Sequence, residues 1–357
     1  MSFTLENFGY SSFQELFRTE NRIARESVAR VVSDSRERYL LQTSAGACPA
    51  TITGKLRFAA KSRLDLPAVG DWVSISRPDH LSAVIESLFP RRTNLERSAV
   101  GKTDVQIIAA NVDTAFVVMA ADGDFSVNRV DRYLALILNS GIIPVVVLNK
   151  CDLTTEETWK HLEKQIFKRH PAVEVIATSL ISQQGLNILK ECIRPAQTFC
   201  FVGSSGVGKS SLVNHFAGEQ LLKTSQLSAA DNLGQHTTTS RQLHLLPGGA
   251  LLLDTPGMRE VAMSDVEAGV EAAFSEIEEF AANCRFKNCR HENEPGCAIS
   301  KAVTEGTLDE ATLASYKKLL RESARFEQKI AEKRKNDKNF GKMTREVLKL
   351  KKLLKGT

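Results

Sequence analysis

Several features of exported and membrane proteins are lacking from this sequence of 357 residues. It has no run of eighteen apolar residues and no apolar core of a signal peptide, so neither a membrane span nor a secretory signal is expected. Seven cysteines are present, but four are scattered and three fall within fourteen residues. That spacing is not a disulfide framework and indicates a reducing compartment. We therefore expect a cytoplasmic protein.

A strong net charge is also lacking, since the formal value is only +5. Apolar content of 42% and charged content of 25% are ordinary for a globular protein. The charge is uneven, because residues 332–357 contain ten Lys/Arg and three Asp/Glu and carry +7, which leaves −2 for the rest. A basic tail on a near-neutral body indicates a polyanionic partner such as RNA. A membrane surface is the weaker alternative.

Residues from about 30 to 103 form short strand-like runs, among them 55–58 and 70–75, broken by Gly, Pro, Asp and Ser. Evenly spaced short strands predict a small β-barrel, with an OB-fold as first choice. Such barrels often bind oligonucleotides, although a fold alone does not establish function. Phe58 and Trp72 are candidates for base stacking, with a core position favoured for Trp72. The basic residues of this segment are Arg57, Lys61, Arg63, Arg91, Arg92, Arg97 and Lys102.

A glycine-rich stretch lies between an apolar strand at 198–202 and a predicted helix at 210–217, and it matches the P-loop pattern G-x-x-x-x-G-K-[ST]. Glycines let the backbone N–H groups of such a loop point at phosphate oxygens, and the helix N-terminus adds its positive dipole end. Lys209 would reach the β/γ-phosphates and Ser210 would offer its hydroxyl to Mg²⁺. The predicted nucleotide-binding residues are Gly203, Ser204, Ser205, Gly206, Val207, Gly208, Lys209, Ser210 and Ser211.

A second motif, N-K-x-D, follows the apolar strand at 142–148. The Asp152 carboxylate can accept from both N1–H and the 2-amine of guanine, whereas adenine offers neither, so this residue would select guanine. Asn149 would contact the base edge, and the stem of Lys150 would cover the base face. Thr178 and Ser179 end the next predicted strand, where GTPases carry a short loop over the base. Open α/β sheets bind ligands at such carboxyl ends of strands.

The segment 234–239 has the position of switch I in a GTPase. One of Thr237, Thr238 and Thr239 is expected to bind Mg²⁺ and to sense the γ-phosphate. His236 is the candidate catalytic residue that positions the attacking water, and a structural loop histidine is the alternative. A plain surface loop is the alternative for the whole segment.

The sequence Asp254-Thr-Pro-Gly257 matches D-x-x-G, the switch II motif. Asp254 would hold Mg²⁺ through water, and the Gly257 N–H would contact the γ-phosphate. Met258 stands where Ras-type enzymes carry a water-orienting glutamine, so slow intrinsic hydrolysis is predicted. All five GTPase motifs are present, but N-K-x-D precedes the P-loop, so the domain is expected to be circularly permuted.

Four potential metal ligands fall within fourteen residues as C-x₄-C-x-H-x₅-C, namely Cys284, Cys289, His291 and Cys297. Three thiolates and one imidazole complete a tetrahedral Zn²⁺ shell with no open position, so one structural zinc ion is predicted. Free thiols with a chance histidine are the alternative. Arg285, Lys287 and Arg290 put positive charge between the ligands, as a nucleic-acid contact requires.

The permuted motif order, the barrel in front and the C/C/H/C cluster behind together resemble the ribosome small-subunit-dependent GTPase A family (RsgA, YjeQ or YloQ), over about residues 30–325. The resemblance implies an α/β protein with an N-terminal OB-fold β-barrel, a circularly permuted P-loop GTPase domain and a C-terminal zinc-binding α-helical domain. It implies a GTP hydrolase that acts late in maturation of the 30S ribosomal subunit and is stimulated by it, with His236 as the stronger catalytic candidate. The expected ligands are GTP/GDP, Mg²⁺ and Zn²⁺, and the expected partners are the 30S subunit and 16S rRNA.

We expect a monomer with five segments: an N-terminal arm at 1–30, the barrel at 31–103, the GTPase domain at 104–260, the zinc domain at 261–330 and the basic tail at 331–357. Two other functions remain open. The chain could be an rRNA-binding scaffold with little turnover, since Met258 replaces the usual glutamine. It could also be a GTP switch that acts on a protein or membrane target through its tail.

Overall fold

The computed structural model describes most of the chain between Thr4 and Glu332. The described residues are 4–35, 38–76, 82–98, 105–218, 221, 241–254, 266–292, 294–326, 328 and 332. Over these ranges, every helix is too short or too polar to cross a membrane.

The N-terminal arm packs on the body of the protein. Its helix α1 (Ser12–Glu20) begins with a capping box in which the side chain of Gln14 accepts from the Ser11 backbone N–H at 3.0 Å. Leu5 and Phe8 are buried in a hydrophobic cluster that also contains described residues between Val28 and Leu319. The arm is therefore held by apolar burial.

Five strands follow and close into a barrel. Neighbours hydrogen-bond in the order β1-β2-β3-β5-β4, and β4 returns to β1. Only the β3–β5 pair is parallel, and the arrangement is the five-stranded OB-fold that the sequence predicts. Trp72 is buried outside the barrel interior, with its ring 5.1 Å from that of Tyr10, so its predicted core position is confirmed. The strands are β1 (Val28–Ser35), β2 (Arg38–Thr43), β3 (Gly46–Ile52), β4 (Trp72–Ser76) and β5 (Ala83–Leu88).

The strand expected at 55–58 is wrong, because this segment is a short helix, α2 (Gly54–Ala59). Its N-terminus is capped by the hydroxyl of Thr53, which accepts from the Leu56 backbone N–H at 3.1 Å. Only Leu56 of the apolar residues in this run packs on the barrel core, while Phe58 points into solvent. Local capping and one-sided burial therefore override the strand-like composition.

A two-stranded antiparallel sheet, β6 (Asn94–Ser98) and β7 (Val105–Ala110), leads into the nucleotide domain. The main sheet of that domain has the order β10-β9-β8-β11-β13-β12, parallel except for β12. Its central strands are apolar along their whole length because helices cover both faces. The strands are β8 (Thr114–Ala120), β9 (Ile143–Asn149), β10 (Glu174–Ala177), β11 (Thr198–Val202), β12 (Arg241–Leu245) and β13 (Leu251–Asp254). The helices are α3 (Val127–Asn139), α4 (Glu156–Arg169), α5 (Leu186–Glu191) and α6 (Lys209–Ala217).

The barrel and the nucleotide domain share one continuous sheet. Strand β12 pairs on one side with β13 and on the other with β1 of the barrel, where Ser33 lies opposite Gln242 and Asp34 opposite Arg241. Backbone hydrogen bonds therefore run across the junction, giving an eleven-stranded sheet.

The described residues at the C-terminal end contain four helices, and the first and last of them contact α3. The four helices are α7 (Glu267–Ala273), α8 (Ser275–Ala281), α9 (Ala298–Thr304) and α10, which spans residues 310–326. The backbones of α3 and α7 touch, since a Cβ on Gly269 would lie 1.9 Å from the carbonyl oxygen of Ala135. Helices α7 and α8 meet at Phe274, whose buried ring contacts those of His170 and Tyr316.

Candidate nucleotide and metal sites

The P-loop connects β11 to α6, and its glycines are required by close approaches. Gly203 and Gly208 have φ values of 141° and 97°. A Cβ on Gly203 would lie 2.3 Å from the Val118 carbonyl oxygen, and one on Gly208 would lie 2.3 Å from the side-chain nitrogen of Asn149. These two glycines therefore let the loop touch β8 and the N-K-x-D segment at the same time.

The side chain of Lys209 folds back over this loop. Its Nζ donates to the carbonyl oxygens of Gly203 at 2.8 Å and Ser204 at 2.5 Å. Ser210 and Ser211 begin α6 and are half-buried, while Ser205 and Gly206 are exposed at the tip of the loop. The ammonium is thus positioned beside the loop backbone, where it can exchange carbonyl partners for phosphate oxygens.

The predicted guanine-binding segments lie beside the P-loop. The Asn149 side chain donates to the Val207 carbonyl oxygen at 2.9 Å and accepts from the Thr178 hydroxyl at 3.1 Å. Both ends of this amide are therefore used to connect the P-loop, β9 and the loop after β10. Lys150 adopts left-handed backbone geometry, with φ of 64°.

Asp152 is oriented by Ser179. The Ser179 hydroxyl donates to Oδ1 of Asp152 at 2.5 Å, and it accepts from the backbone N–H groups of Ile181 and Ser182, both at 3.1 Å. Because two donors occupy the hydroxyl oxygen, its proton is directed at the carboxylate. Asp152 itself is exposed, so the oriented carboxylate faces solvent, where a base can reach it.

A cleft of about 180 Å³ lies between these segments. Lys150 and Ser205 line it, together with Arg129 of α3. The Arg129 guanidinium lies 3.3 Å from the Ser204 hydroxyl and pairs with the exposed carboxylate of Asp124 at 2.8 Å. A cationic side chain from α3 therefore borders the P-loop, and no local sequence pattern had indicated it.

Asp254 ends β13 beside the P-loop strand. Burial raises the pKa of Asp254 to about 6, and such a carboxylate gains most from a nearby cation, which fits a Mg²⁺ site. The remaining switch residues lie outside the described part of the chain, namely His236, Thr237, Thr238, Thr239, Gly257 and Met258.

The four predicted zinc ligands converge. Their ligand atoms lie within 4.8 Å of one another, and the Nδ1 atom of His291 is 3.6 Å from the sulfurs of both Cys284 and Cys297. The sulfurs of Cys284 and Cys297 are 4.0 Å apart. Tetrahedral bonds of ~2.3 Å to sulfur and ~2.0 Å to nitrogen give ligand separations of about 3.5–3.8 Å. The two distances to His291 agree with this range and the Cys284–Cys297 distance is slightly longer, so a small contraction would let the four donors bind Zn²⁺.

The zinc loop is tied to the helices around it. Cys297 precedes α9, and its sulfur accepts from the Ser300 backbone N–H at 3.4 Å. Lys317 of α10 donates to the His291 carbonyl oxygen at 2.5 Å. A bound ion would therefore connect the loop, α9 and α10.

The sequence model of the RsgA GTPase family matches residues 88–264. A small ribosomal subunit biogenesis GTPase RsgA 2 of Lactiplantibacillus plantarum is 43% identical over 297 residues, covering 83% of each chain. The chain belongs to the RsgA GTPase family. It is accordingly a GTP-hydrolysing enzyme. Membership of a GTPase family implies that GTP or GDP and Mg²⁺ are its ligands.

Solved structures of RsgA relatives share the fold. YjeQ from Thermotoga maritima superposes with a TM-score of 0.64 at 26% identity, covering 84% of this chain and 98% of that one. YloQ, a circularly permuted GTPase, superposes with a TM-score of 0.61 at 22% identity, covering 84% and 95%. The permuted strand order read from the sequence is thus confirmed.

Sequence reasoning missed a buried polar cluster between α3, α4 and α10. Asp131 accepts from Arg169 at 2.6 Å and from the Ser315 hydroxyl at 2.6 Å, and its other oxygen lies 2.7 Å from Nε2 of His170. Nδ1 of His170 lies 2.8 Å from the carbonyl oxygen of Ala273 in α7. No spacing rule connects these positions, because they meet only after the C-terminal helices have packed on α3.

Proposed function

We propose that this GTPase binds the small ribosomal subunit, acts in its late maturation in the cytoplasm, and hydrolyses GTP to GDP and phosphate with stimulation by that subunit. The proposal that the protein binds GTP is supported by the contact of Asn149 with Gly208 and Val207. This contact joins the N-K-x-D motif to the P-loop in one cleft. The printed names of the relatives, small ribosomal subunit biogenesis GTPases, support the partner.

Guanine selectivity would come from Asp152. Its Oδ1 accepts a hydrogen bond from Ser179, so the carboxylate is oriented before the base binds. Binding of the base would then cost little side-chain rotational freedom. N1–H and the 2-amine of guanine would satisfy it, whereas adenine would leave it unpaired. Sites of this type discriminate by about 10⁴–10⁵.

Phosphate binding would use Lys209, the P-loop N–H groups and the Ser210 hydroxyl. A Mg²⁺ ion bound there would supply positive charge that offsets the negative charge of the phosphates. Asp254 and one of Thr237, Thr238 and Thr239 would hold that ion. His236 would orient the attacking water, and because Met258 cannot do so, turnover without the subunit is expected to be slow.

RNA binding would use the basic residues of the zinc loop and of the barrel. Arg285, Lys287 and Arg290 are exposed between the ligands, and Zn²⁺ on Cys284, Cys289, His291 and Cys297 would hold them in place. Their positive charge complements 16S rRNA phosphates.

The test is GTP hydrolysis with and without purified 30S subunits, with 50S subunits as the control particle. Lys209→Ala supplies the blank, because it removes the phosphate-binding ammonium. We expect slow turnover alone, strong stimulation by 30S and little by 50S. Bound GTP that is not turned over faster with 30S would contradict the proposal and favour the scaffold function.

A second measurement addresses His236. His236→Ala should remove the stimulated rate while leaving GTP affinity and 30S binding unchanged, since a water-positioning residue acts in the transition state and not in ground-state binding. An equal loss of GTP affinity would instead assign His236 a structural role.

A further inference from the structure

The most exposed large apolar side chain in the described part of the chain is Phe58, at 94%. It lies on α2 two residues after Leu56, which packs on the barrel core. Two helical positions differ by about 200° around the axis, so anchoring Leu56 turns Phe58 outward. A single exposed apolar side chain is common on protein surfaces, so the meaning of Phe58 depends on the residues beside it.

Four positively charged residues lie within five positions of Phe58 in the sequence. Lys55 and Arg57 lie on the same helix, and Lys61 and Arg63 lie on the turn that follows. All four are exposed. We call these four residues with Phe58 the α2 patch.

Two arginines after the barrel strands make contacts within the protein. Arg91 forms a two-pronged pair with buried Asp71, at 2.7 Å for each contact, and also donates to the Leu64 and Leu66 carbonyl oxygens. Arg92 pairs with Asp113 at 2.9 Å. Arg91 and Arg92 are therefore engaged in contacts within the protein, and the α2 patch is an exposed basic group of the barrel segment.

The turn that carries Lys61 and Arg63 is held by hydrogen bonds to its backbone. The Asp65 carboxylate accepts from the backbone N–H groups of Lys61 at 2.9 Å and Ser62 at 3.0 Å. Leu64 packs on a small apolar cluster beside the barrel, and Arg91 holds its carbonyl oxygen. The backbone of this turn is therefore held by hydrogen bonds and by the packing of Leu64.

We propose that the α2 patch is a binding surface for unpaired RNA, in which a base stacks on Phe58 and the four cations contact phosphates. An aromatic face stacks on any base, and flanking Lys and Arg follow the backbone, which is how proteins hold single-stranded nucleic acid. Four exposed cationic residues within five positions of Phe58 in the sequence favour a polyanion over an apolar protein partner. The proposal rests on the proposed function, because the RNA meant is an exposed single strand of the small subunit.

The first experiment compares Phe58→Ala, Phe58→Leu and Phe58→Trp for binding to a short fluorescent oligoadenylate and to 30S subunits. Stacking predicts that Ala and Leu each weaken oligoadenylate binding about tenfold (~1.4 kcal/mol), whereas Trp preserves it. Thermal unfolding should be unchanged in all three, because the side chain is exposed.

The matched control is Phe167→Ala. Phe167 is 59% exposed on α4, but its surroundings include Glu163 and Glu174 as well as Lys164. It should leave RNA affinity unchanged. An equal effect of Phe58→Ala and Phe167→Ala, or full binding by Phe58→Leu, would overturn the stacking proposal and indicate a general apolar contact with protein.

The cations are tested through the salt dependence of binding. Lys61→Ala should lower the slope of log affinity against log salt by roughly 0.7, the value per phosphate contact on a single strand. An unchanged slope would contradict a phosphate contact at this residue.

The two proposals fail differently. If 30S subunits do not stimulate the wild-type enzyme, the proposed function fails, and the oligoadenylate measurements still decide on the α2 patch. If the wild type is stimulated and Phe58→Ala binds RNA and 30S normally, only the α2 patch is refuted. A photoreactive aromatic residue at position 58 should crosslink to RNA in the 30S complex, and crosslinks to protein alone would refute the patch.

Discussion

The barrel and the C-terminal helices flank the same nucleotide domain but are built and attached by different means. The barrel has its own core, in which Val31, Leu41, Val73 and Ile85 are fully buried. Among the described residues of the C-terminal helices, buried side chains such as Val270 and Leu313 belong to the cluster that also holds Leu134 of α3. The barrel is thus a unit joined to the nucleotide domain, whereas the C-terminal helices complete its core.

The two junctions differ as well. The barrel is joined through β1–β12 pairing and through Arg30, which donates to oxygens of the arm, the barrel and the nucleotide domain. The C-terminal side is joined by direct helix contact and by the cluster around Asp131. The barrel keeps a core of its own, whereas the C-terminal helices share the core of the nucleotide domain. A destabilising change should therefore affect more of the protein on the C-terminal side than on the barrel side.

Removal of the metal ion should have the largest effect on local stability, and that effect should be confined to the C-terminal helices. Chelation, or Cys289→Ser, is expected to unfold the zinc loop, since structural zinc contributes apparent binding energies of ~10 kcal/mol. Hydrogen exchange should rise in the segments 284–304 and 310–320 and stay unchanged in the barrel. Cys192→Ser, outside the cluster, is the control, and equal exchange changes in the barrel would break the comparison.

Asp131→Ala should come next. It leaves Arg169 and His170 buried without their carboxylate, and removing one partner from such a cluster costs about 3–5 kcal/mol. Chemical denaturation should show this loss, and exchange should rise first in α10 through Ser315. A loss below about 1 kcal/mol would show that the cluster does not hold this junction.

Arg30→Lys should be milder. A single ammonium cannot reach the carbonyl oxygens of Gly70 and Asn111 and the Thr198 hydroxyl together, so we expect a loss of about 2–3 kcal/mol. Exchange should rise in β1 and β12 while the barrel core stays protected. Arg25→Lys, at an exposed pair with Glu6, serves as the control and should cost below ~1 kcal/mol.

Glu322→Gln should have the smallest effect. Its ion pair with Arg132 spans 2.9 Å, but both side chains are partly exposed, so the expected loss is about 0–1 kcal/mol. The midpoint of chemical denaturation should change little, and the size of that change should depend on the salt concentration. A loss comparable to that of Asp131→Ala would mean that exposed and buried contacts share the junction equally.

The sequence was informative where function depends on local backbone geometry. The P-loop glycines, the N-K-x-D segment and the four zinc ligands could be read because each motif works through residues a few positions apart. The helix at 210–217 and the apolar strands at 142–148 and 198–202 were also predicted, and the structure confirms them within one or two residues.

Prediction failed where several states suit the same composition. The run 55–58 looks like a strand, yet capping by Thr53 and one-sided burial make it a helix. Here capping and tertiary contacts outweigh a weak local preference.

The sequence by itself determined the chemistry of this protein, because phosphate, guanine and zinc recognition each require particular residues at short, fixed spacing. Only the tertiary structure decided that β12 pairs with the barrel, that Asp131 meets Ser315, and that Arg91 is used internally while Phe58 faces solvent. The physical reason is that pairing, burial and exposure depend on which surfaces meet, and those surfaces come from residues far apart in the chain.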